Sequence, residues 1–211
     1  MVEDLTDKHG TTTLGMVCSD GVVMAAERRA TIGYMVANKN AKKLIPITDS
    51  IVMSIAGSVG DAQMLAKYLR SEIELYELRT QKKATVKATS ALLANILFGN
   101  RMSFNPFWVE IIIGGKDSTG YYVFDLDAGG SNLENKVVST GSGSPFAYGV
   151  LETEYKEGIK CEEGIKIAVR ALKAAMARDI ASGEGMDIIV INDKGINWVP
   201  QEKIQEILAK K

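Results

Sequence analysis

A single-domain α+β fold, a four-layer αββα sandwich of two antiparallel sheets flanked by helix pairs, is predicted by three features of the sequence. Paired strand-like runs alternate with paired helical runs along the 211 residues. Short turn signals join the strand runs, as in antiparallel hairpins, which argues against a doubly wound βαβ arrangement. No Pro- or Ser-rich linker and no internal repeat divides the chain, and 46% hydrophobic residues suffice for one substantial core.

The first hairpin is read at Thr11 to Cys18 and Val22 to Glu27, β-branched runs separated by Ser19-Asp20-Gly21. Lys42 to Ile47 and Ile51 to Ala56 flank Thr48-Asp49-Ser50 in the same way. After Gly57 the period changes. Ala62, Leu65, Ala66, Leu69, Ile73 and Tyr76 recur at the three-and-four spacing of a helix, with Ser58 or Asp61 as cap and Arg79 near the end. Val86, Thr89, Leu92, Leu93 and Ile96 mark a second helix stopping at Gly99. Strands resume at Phe107 to Ile113 and Tyr121 to Leu126, around a predicted turn at Gly114-Gly115-Lys116-Asp117, and Val137 to Thr140 is a shorter run. Ser144-Pro145 reads as cap and first residue of a third helix through Val150, Leu151 and Tyr155. A fourth helix places Ile165, Ala168, Val169, Leu172, Met176 and Ile180 on one face. Asp187 to Asn192 and Gly195 to Val199 close the chain as a hairpin, followed by a short helix from Pro200 to Leu208.

Composition excludes several function classes. The net charge of -1 and the lack of a basic run give no handle for nucleic acid or an anionic membrane surface. No apolar stretch approaches the length of a spanning helix, and Met1 to Gly10 lacks the apolar core of a secretory signal. Cys18 and Cys161 are two separate thiols outside any CxxC pattern, read as structural cysteines in a reducing compartment. With one histidine, the chain offers no metal-ligand cluster.

No histidine follows His9, which removes Ser-His and Cys-His catalysis from consideration once the leader is gone. What remains is Gly10-Thr11-Thr12-Thr13. If the Gly10-Thr11 bond is cut, Thr11 carries a hydroxyl nucleophile and a free α-amine, an ordinary base near neutral pH. The same hydroxyl reaches the Gly10 carbonyl in cis, and Gly10 has no side chain to obstruct it. Such a site needs a cation and a carboxylate to hold that cation. Glu27 and Lys43 are charged residues beside apolar runs, although spacing alone favours solvent-exposed edge residues for both. Gly57 offers either an oxyanion-binding N–H before a helix or an ordinary turn. Thr140-Gly141-Ser142-Gly143-Ser144 lacks the lysine and spacing of a phosphate loop. Arg178 to Gly183 is either a polar cluster of the site or a helix C-cap.

Taken together, Gly10-Thr11-Thr12-Thr13-Leu14-Gly15, Ala26-Glu27-Arg28-Arg29-Ala30-Thr31, Asn40-Ala41-Lys42-Lys43-Leu44, Ala56 to Gln63, Thr140 to Phe146 and Arg178 to Gly183 resemble the archaeal-type proteasome β subunits. The resemblance covers essentially the whole chain after the leader. It implies the N-terminal-nucleophile hydrolase fold and a threonine endopeptidase whose leader, residues 1–10, is removed by autocleavage between Gly10 and Thr11, leaving one peptidase domain over 11–211. It implies Thr11 as nucleophile, Glu27 orienting Lys43, Lys43 tuning the hydroxyl, Ser142, Asp179 and Ser182 around the Thr11 amine, and the Gly57 N–H as oxyanion donor. Substrate is expected as an added strand against Thr31, Gly57 and Val59. Ala30, Ala41, Ile55, Val59 and Gln63 match the specificity pocket, uncharged and small or apolar, which predicts cleavage after hydrophobic residues. The resemblance further implies a cytoplasmic particle of stacked heptameric rings with α subunits and other β subunits, a regulatory ATPase on the α ring, unfolded protein substrates, and no cofactor, metal, nucleic acid or membrane.

Three other readings are distinguishable. A β subunit that is mainly structural, or poorly processed without a second β type, is weighed against the joint presence of Thr11, Glu27, Lys43 and Asp179. The related bacterial two-ring threonine peptidases have shorter C-terminal ends than the Pro200 to Lys211 extension here. A small-molecule amidase would not degrade an unfolded protein such as casein.

Overall fold

The computed structural model describes residues 10–209, so the first nine residues of the predicted leader lie outside the described residues. In chain order the elements are β1 (Thr13–Cys18), β2 (Gly21–Glu27), β3 (Ala30–Ile32), β4 (Met35–Asn38), β5 (Leu44–Pro46) and β6 (Ile51–Gly57). Next come α1 (Val59–Thr80), α2 (Val86–Asn100), β7 (Val109–Asp117), β8 (Gly120–Asp127), β9 (Leu133–Asn135) and β10 (Val137–Thr140). The chain continues through α3 (Ser144–Glu154), α4 (Cys161–Arg178), β11 (Met186–Asn192), β12 (Gly195–Trp198) and α5 (Gln201–Ala209). All strand pairs are antiparallel, in one five-stranded sheet ordered β10-β1-β2-β11-β12, a second ordered β5-β6-β7-β8-β9, and the small hairpin β3-β4.

Three buried apolar layers hold the four-layer stack together. Leu14, Met16, Val23, Ala25 and Ile188 turn one face of the first sheet onto Leu151, Ile165, Ala168 and Leu172 of α3 and α4. Ile51, Met53, Ile111, Ile113 and Phe124 of the second sheet meet Leu65, Leu69, Leu93 and Leu97 of α1 and α2. Between the sheets lie Val22, Met24, Ile189 and Ile191 from one and Val52, Ile112 and Val123 from the other. Alternate residues of β2 thus face opposite layers, which is why its whole length is buried. A fully buried Leu or Ile side chain is worth about 1.5–3 kcal/mol, so burial on both faces is what fixes the strand register.

Local differences from the sequence reading have physical causes. Gly114 and Gly115 are not a turn but lie inside β7, which turns at Ser118-Thr119 instead. A Cβ on Gly114 would sit 2.4 Å from Met24 Sδ, and one on Gly115 2.7 Å from the Ser50 carbonyl, so these glycines permit close sheet packing. Gly143, not Ser144, caps α3, without a side-chain bond. Helix α4 stops at Arg178 with Asp179 as its C-cap, leaving Ile180 77% exposed beyond the predicted buried face. Ser58 does cap α1, its hydroxyl accepting from the Asp61 N–H at 3.4 Å. The two cysteines, far apart in sequence, meet where β1 ends and α4 begins; contact with Cys18 and burial raise the Cys161 thiol far above its ordinary range. No helix among the described residues is long and apolar enough to cross a membrane.

Candidate active site

Strand β1 begins pairing with β2 at Thr13 opposite Ala26, and the Glu27 N–H still donates to the Thr12 carbonyl at 3.2 Å. The extended chain therefore sends the side chains of Thr11 and Thr12 to opposite sides. Thr12 Oγ1 lies 2.7 Å from Ser182 Oγ, while Thr11 Oγ1 accepts from Lys43 Nζ at 2.9 Å.

Glu27, the last residue of β2, is completely buried. Its carboxylate accepts from the backbone N–H groups of Thr12 (3.3 Å), Arg29 (2.6 Å) and Gly183 (3.0 Å), and from the Lys43 ammonium. A buried carboxylate needs this many donors, because an unsatisfied one costs several kcal/mol. Burial pushes the Glu27 carboxyl above its ordinary range, opposed chiefly by Lys43 and then by the N–H donors. Burial likewise pushes Lys43 down, opposed by Glu27 and Asp179 and reinforced by Arg29. Lys43 Nζ donates to Glu27, to Thr11 Oγ1 and to the Arg29 carbonyl at 2.6 Å. Three acceptors match the three protons of an ammonium, so the geometry suits the cationic form. Lys43 is placed by its own backbone: its carbonyl accepts from the Ile55 N–H at 3.1 Å, extending the β5-β6 ladder by one residue.

On the other side of Thr11, its backbone N–H donates to Ser142 Oγ at 3.1 Å. Ser142 Oγ donates in turn to Asp179 Oδ2 at 2.7 Å, and Ser182 Oγ donates to the same oxygen at 2.6 Å. Asp179, the C-cap of α4, directs its carboxylate to the residues that follow, and its Oδ1 accepts from the Ala181 N–H at 3.2 Å. The loop before α3 comes in so tightly that a Cβ on Gly141, at φ +89°, would be 2.1 Å from the Thr11 carbonyl.

Gly57 ends β6 at φ +105°, and a Cβ there would lie 2.2 Å from the Trp108 carbonyl. Gly57→Ala is therefore expected to cost at least ~2–3 kcal/mol through strain and overlap. For a chain of this size that is a fall of roughly 6–10 °C in melting temperature, readable by calorimetry. Gly57 and Thr11 both border a cavity of about 290 Å³ that Ala30, Ala41, Ile55, Val59 and Gln63 also line. Thr31 is buried in β3 and is not among the lining residues.

The structure thus brings Thr11, Glu27, Lys43, Ser142, Asp179 and Ser182 into one hydrogen-bonded group, with Gly57 at the rim of the adjoining cavity. Sequence reasoning missed three contributors. In sequence Thr12 is one more residue of a β-branched strand run, Gly183 closes a segment that is either a polar cluster or a C-cap with no part marked for its N–H, and Arg29 has no role of its own. Each acts through backbone atoms or through a partner distant in sequence, so residue type gave no signal.

A family model described as Proteasome subunit matches residues 7–191. The chain is 50% identical over 205 residues to a protein named Proteasome subunit beta from Methanohalophilus mahii, covering 96% of this chain and 97% of that one. Proteins of the same name from Ferroglobus placidus and Methanocaldococcus vulcanius are 46% and 49% identical, covering 100% and 95% of this chain and 99% and 90% of their own lengths.

Proposed function

The chain belongs to the proteasome subunit family, and from that premise we propose that it is a catalytic β subunit, a threonine endopeptidase of the proteasome core particle. The observation that carries the reading is Lys43 Nζ donating to both Thr11 Oγ1 and Glu27, while Ser142 holds the Thr11 nitrogen.

As long as Thr11 is in peptide linkage its nitrogen is an amide and accepts no proton. The first reaction is therefore internal: Thr11 Oγ attacks the Gly10 carbonyl, the C–N bond breaks as the hydroxyl proton passes to nitrogen, leaving an ester and a free amine, and water then hydrolyses the ester, restoring the hydroxyl and releasing residues 1–10 as a carboxylic acid. Gly10 suits this because a Cβ would fall 1.9 Å from Ala181 Cβ and 2.7 Å from Ser142 Oγ. In peptide hydrolysis the amine takes the hydroxyl proton as Oγ attacks the substrate carbonyl. Lys43, held cationic by Glu27, stabilises the developing alkoxide. The Gly57 N–H receives the tetrahedral oxyanion. The Thr11 ammonium, steadied by Ser142 and Asp179, returns its proton to the leaving amine, and water then resolves the acyl ester.

Substrate enters as an added strand along Thr31, Gly57 and Val59, with the residue before the scissile bond in the cavity beside Thr11. Ala30, Ala41, Ile55 and Val59, small or apolar side chains of its lining, support cleavage after hydrophobic residues, while Lys42 and Lys43 also border it. Fluorogenic peptides with Leu or Tyr there are expected to be cut at least about tenfold faster than those with Arg, which would meet Lys42 and Lys43, or with Glu, whose charge would be desolvated among Ala30, Ala41, Ile55 and Val59. Faster cleavage of the Arg or Glu peptides would refute that assignment. The working particle is assigned to the cytoplasm as heptameric β rings stacked with α rings and fed unfolded protein by an ATPase. The test of the whole reading is casein degradation by barrels assembled with an α subunit. Intact casein in well-formed barrels, with or without a second β type, would reject it.

A further inference from the structure

We infer that the Arg29 side chain is a positioning residue for the reaction, clamping the 180–184 loop and the Lys43 ammonium into one rigid unit. The inference rests on the catalytic reading above and deepens it. Residue 29 lies between β2 and β3, outside any strand ladder, so regular pairing does not fix its backbone. Yet that backbone touches both charged partners: its N–H donates to Glu27 Oε2 at 2.6 Å and its carbonyl accepts from Lys43 Nζ at 2.6 Å.

What fixes it is the guanidinium. Nη1 donates to the Ile180 carbonyl at 2.7 Å and Nη2 to Glu184 Oε1 at 3.0 Å. The group lies so close over Gly183 that a Cβ there would be 2.3 Å from Nη2. Nε is buried without a hydrogen-bond partner among the described residues, a cost the fold tolerates while the two Nη contacts are made. The clamped loop supplies the Ser182 hydroxyl to Asp179 and the Gly183 N–H to Glu27. It also includes Glu184 at φ +64°, a left-handed conformation that a non-glycine residue adopts only when held. One side chain therefore couples the two halves of the site, the Glu27-Lys43 pair and the Ser142-Asp179-Ser182 relay.

Arg29 also contributes charge. The charged groups acting on Lys43 are Glu27 from β2, Asp179 from the end of α4 and the Arg29 guanidinium; of these Arg29 lowers the Lys43 pKa. Its loss raises that pKa, so the alkaline limb of the kcat/KM profile, where Lys43 loses its proton, moves to higher pH.

The test compares Arg29→Met and Arg29→Lys in barrels assembled with the α subunit, using a fluorogenic peptide with Leu before the scissile bond. Arg29→Met is expected to lower kcat about tenfold or more with KM changed less than about twofold, since slight misplacement of catalytic groups costs one to two orders of magnitude. Its alkaline limb should shift upward. Arg29→Lys keeps the charge but cannot span both acceptors, so its kcat should be intermediate and its alkaline limb that of the wild type. Wild-type kcat in either variant, or a matching rise of KM, overturns the inference. If Arg29→Met fails to assemble, Arg29→Lys alone decides. Failure of the catalytic reading itself would appear differently, as inactivity of the wild-type barrel.

Discussion

Barrels built with Thr11→Ala are expected to retain the full-length subunit and to show no peptidase activity above on the order of 10⁻⁴ of wild type. Alanine removes Oγ1 and nothing else of consequence. The Thr11 N–H to Ser142 bond, the Lys43-Glu27 pair and the strand pairing from Thr13 onward do not involve that oxygen. Fold and assembly should therefore survive, which makes the variant diagnostic. Intact mass spectrometry reads the first reaction: wild type should lack Met1 to Gly10, the variant should keep them. Peptide hydrolysis reads the second. Loss of activity with the leader still removed would place self-cleavage elsewhere, and retained activity would remove Thr11 from the mechanism.

The second large effect falls on Lys43. In Lys43→Met, Glu27 keeps its three backbone N–H donors but loses its counter-charge in a fully buried place. Breaking a buried pair from one side costs about 3–5 kcal/mol, and kcat should fall on the order of 10³-fold or more as the alkoxide loses its cation. The stability loss has a defined pH dependence. Burial already raises the folded Glu27 pKa above its ordinary value, and removal of Lys43 raises it further. Above the unfolded pKa the folded state then binds more protons than the unfolded one, so stability falls as pH rises and recovers as pH falls. The melting temperature of the variant should thus lie closer to wild type at pH 5 than at pH 8. Adding Glu27→Gln should restore much of the stability and none of the activity. A double variant as unstable as Lys43→Met would show that the missing charge is not the cause.

The sequence carried the αββα order plainly, because burial on two faces leaves long apolar strands and amphipathic helices leave a clear period. It carried the site less evenly. Thr11 announced itself through the absence of later histidines, and the resemblance supplied the roles of Glu27, Lys43, Ser142, Asp179 and Ser182. Spacing alone favours an exposed Glu27 and Lys43; the fold buries both, since Lys43, just before β5, meets Glu27 at the end of β2. Gly114 and Gly115 misled because a glycine demanded by neighbouring atoms looks, in sequence, like one demanded by a turn. Arg29 stayed invisible for the opposite reason, its work being done by a carbonyl and by reach across 151 residues to Ile180.

The distribution of the reacting groups between the layers has a consequence for the life of a new chain. Thr11 leads into β1 and Glu27 ends β2 of the first sheet, Lys43 leads into β5 and Gly57 ends β6 of the second, and Asp179 caps α4 on the outer face of the first. No hairpin and no single sheet contains the whole set. The groups therefore come within hydrogen-bonding reach only when the sheets close on each other. On the proposed mechanism a young chain thus passes two checks before it can cut anything else: closure of its sheets, then loss of its own leader.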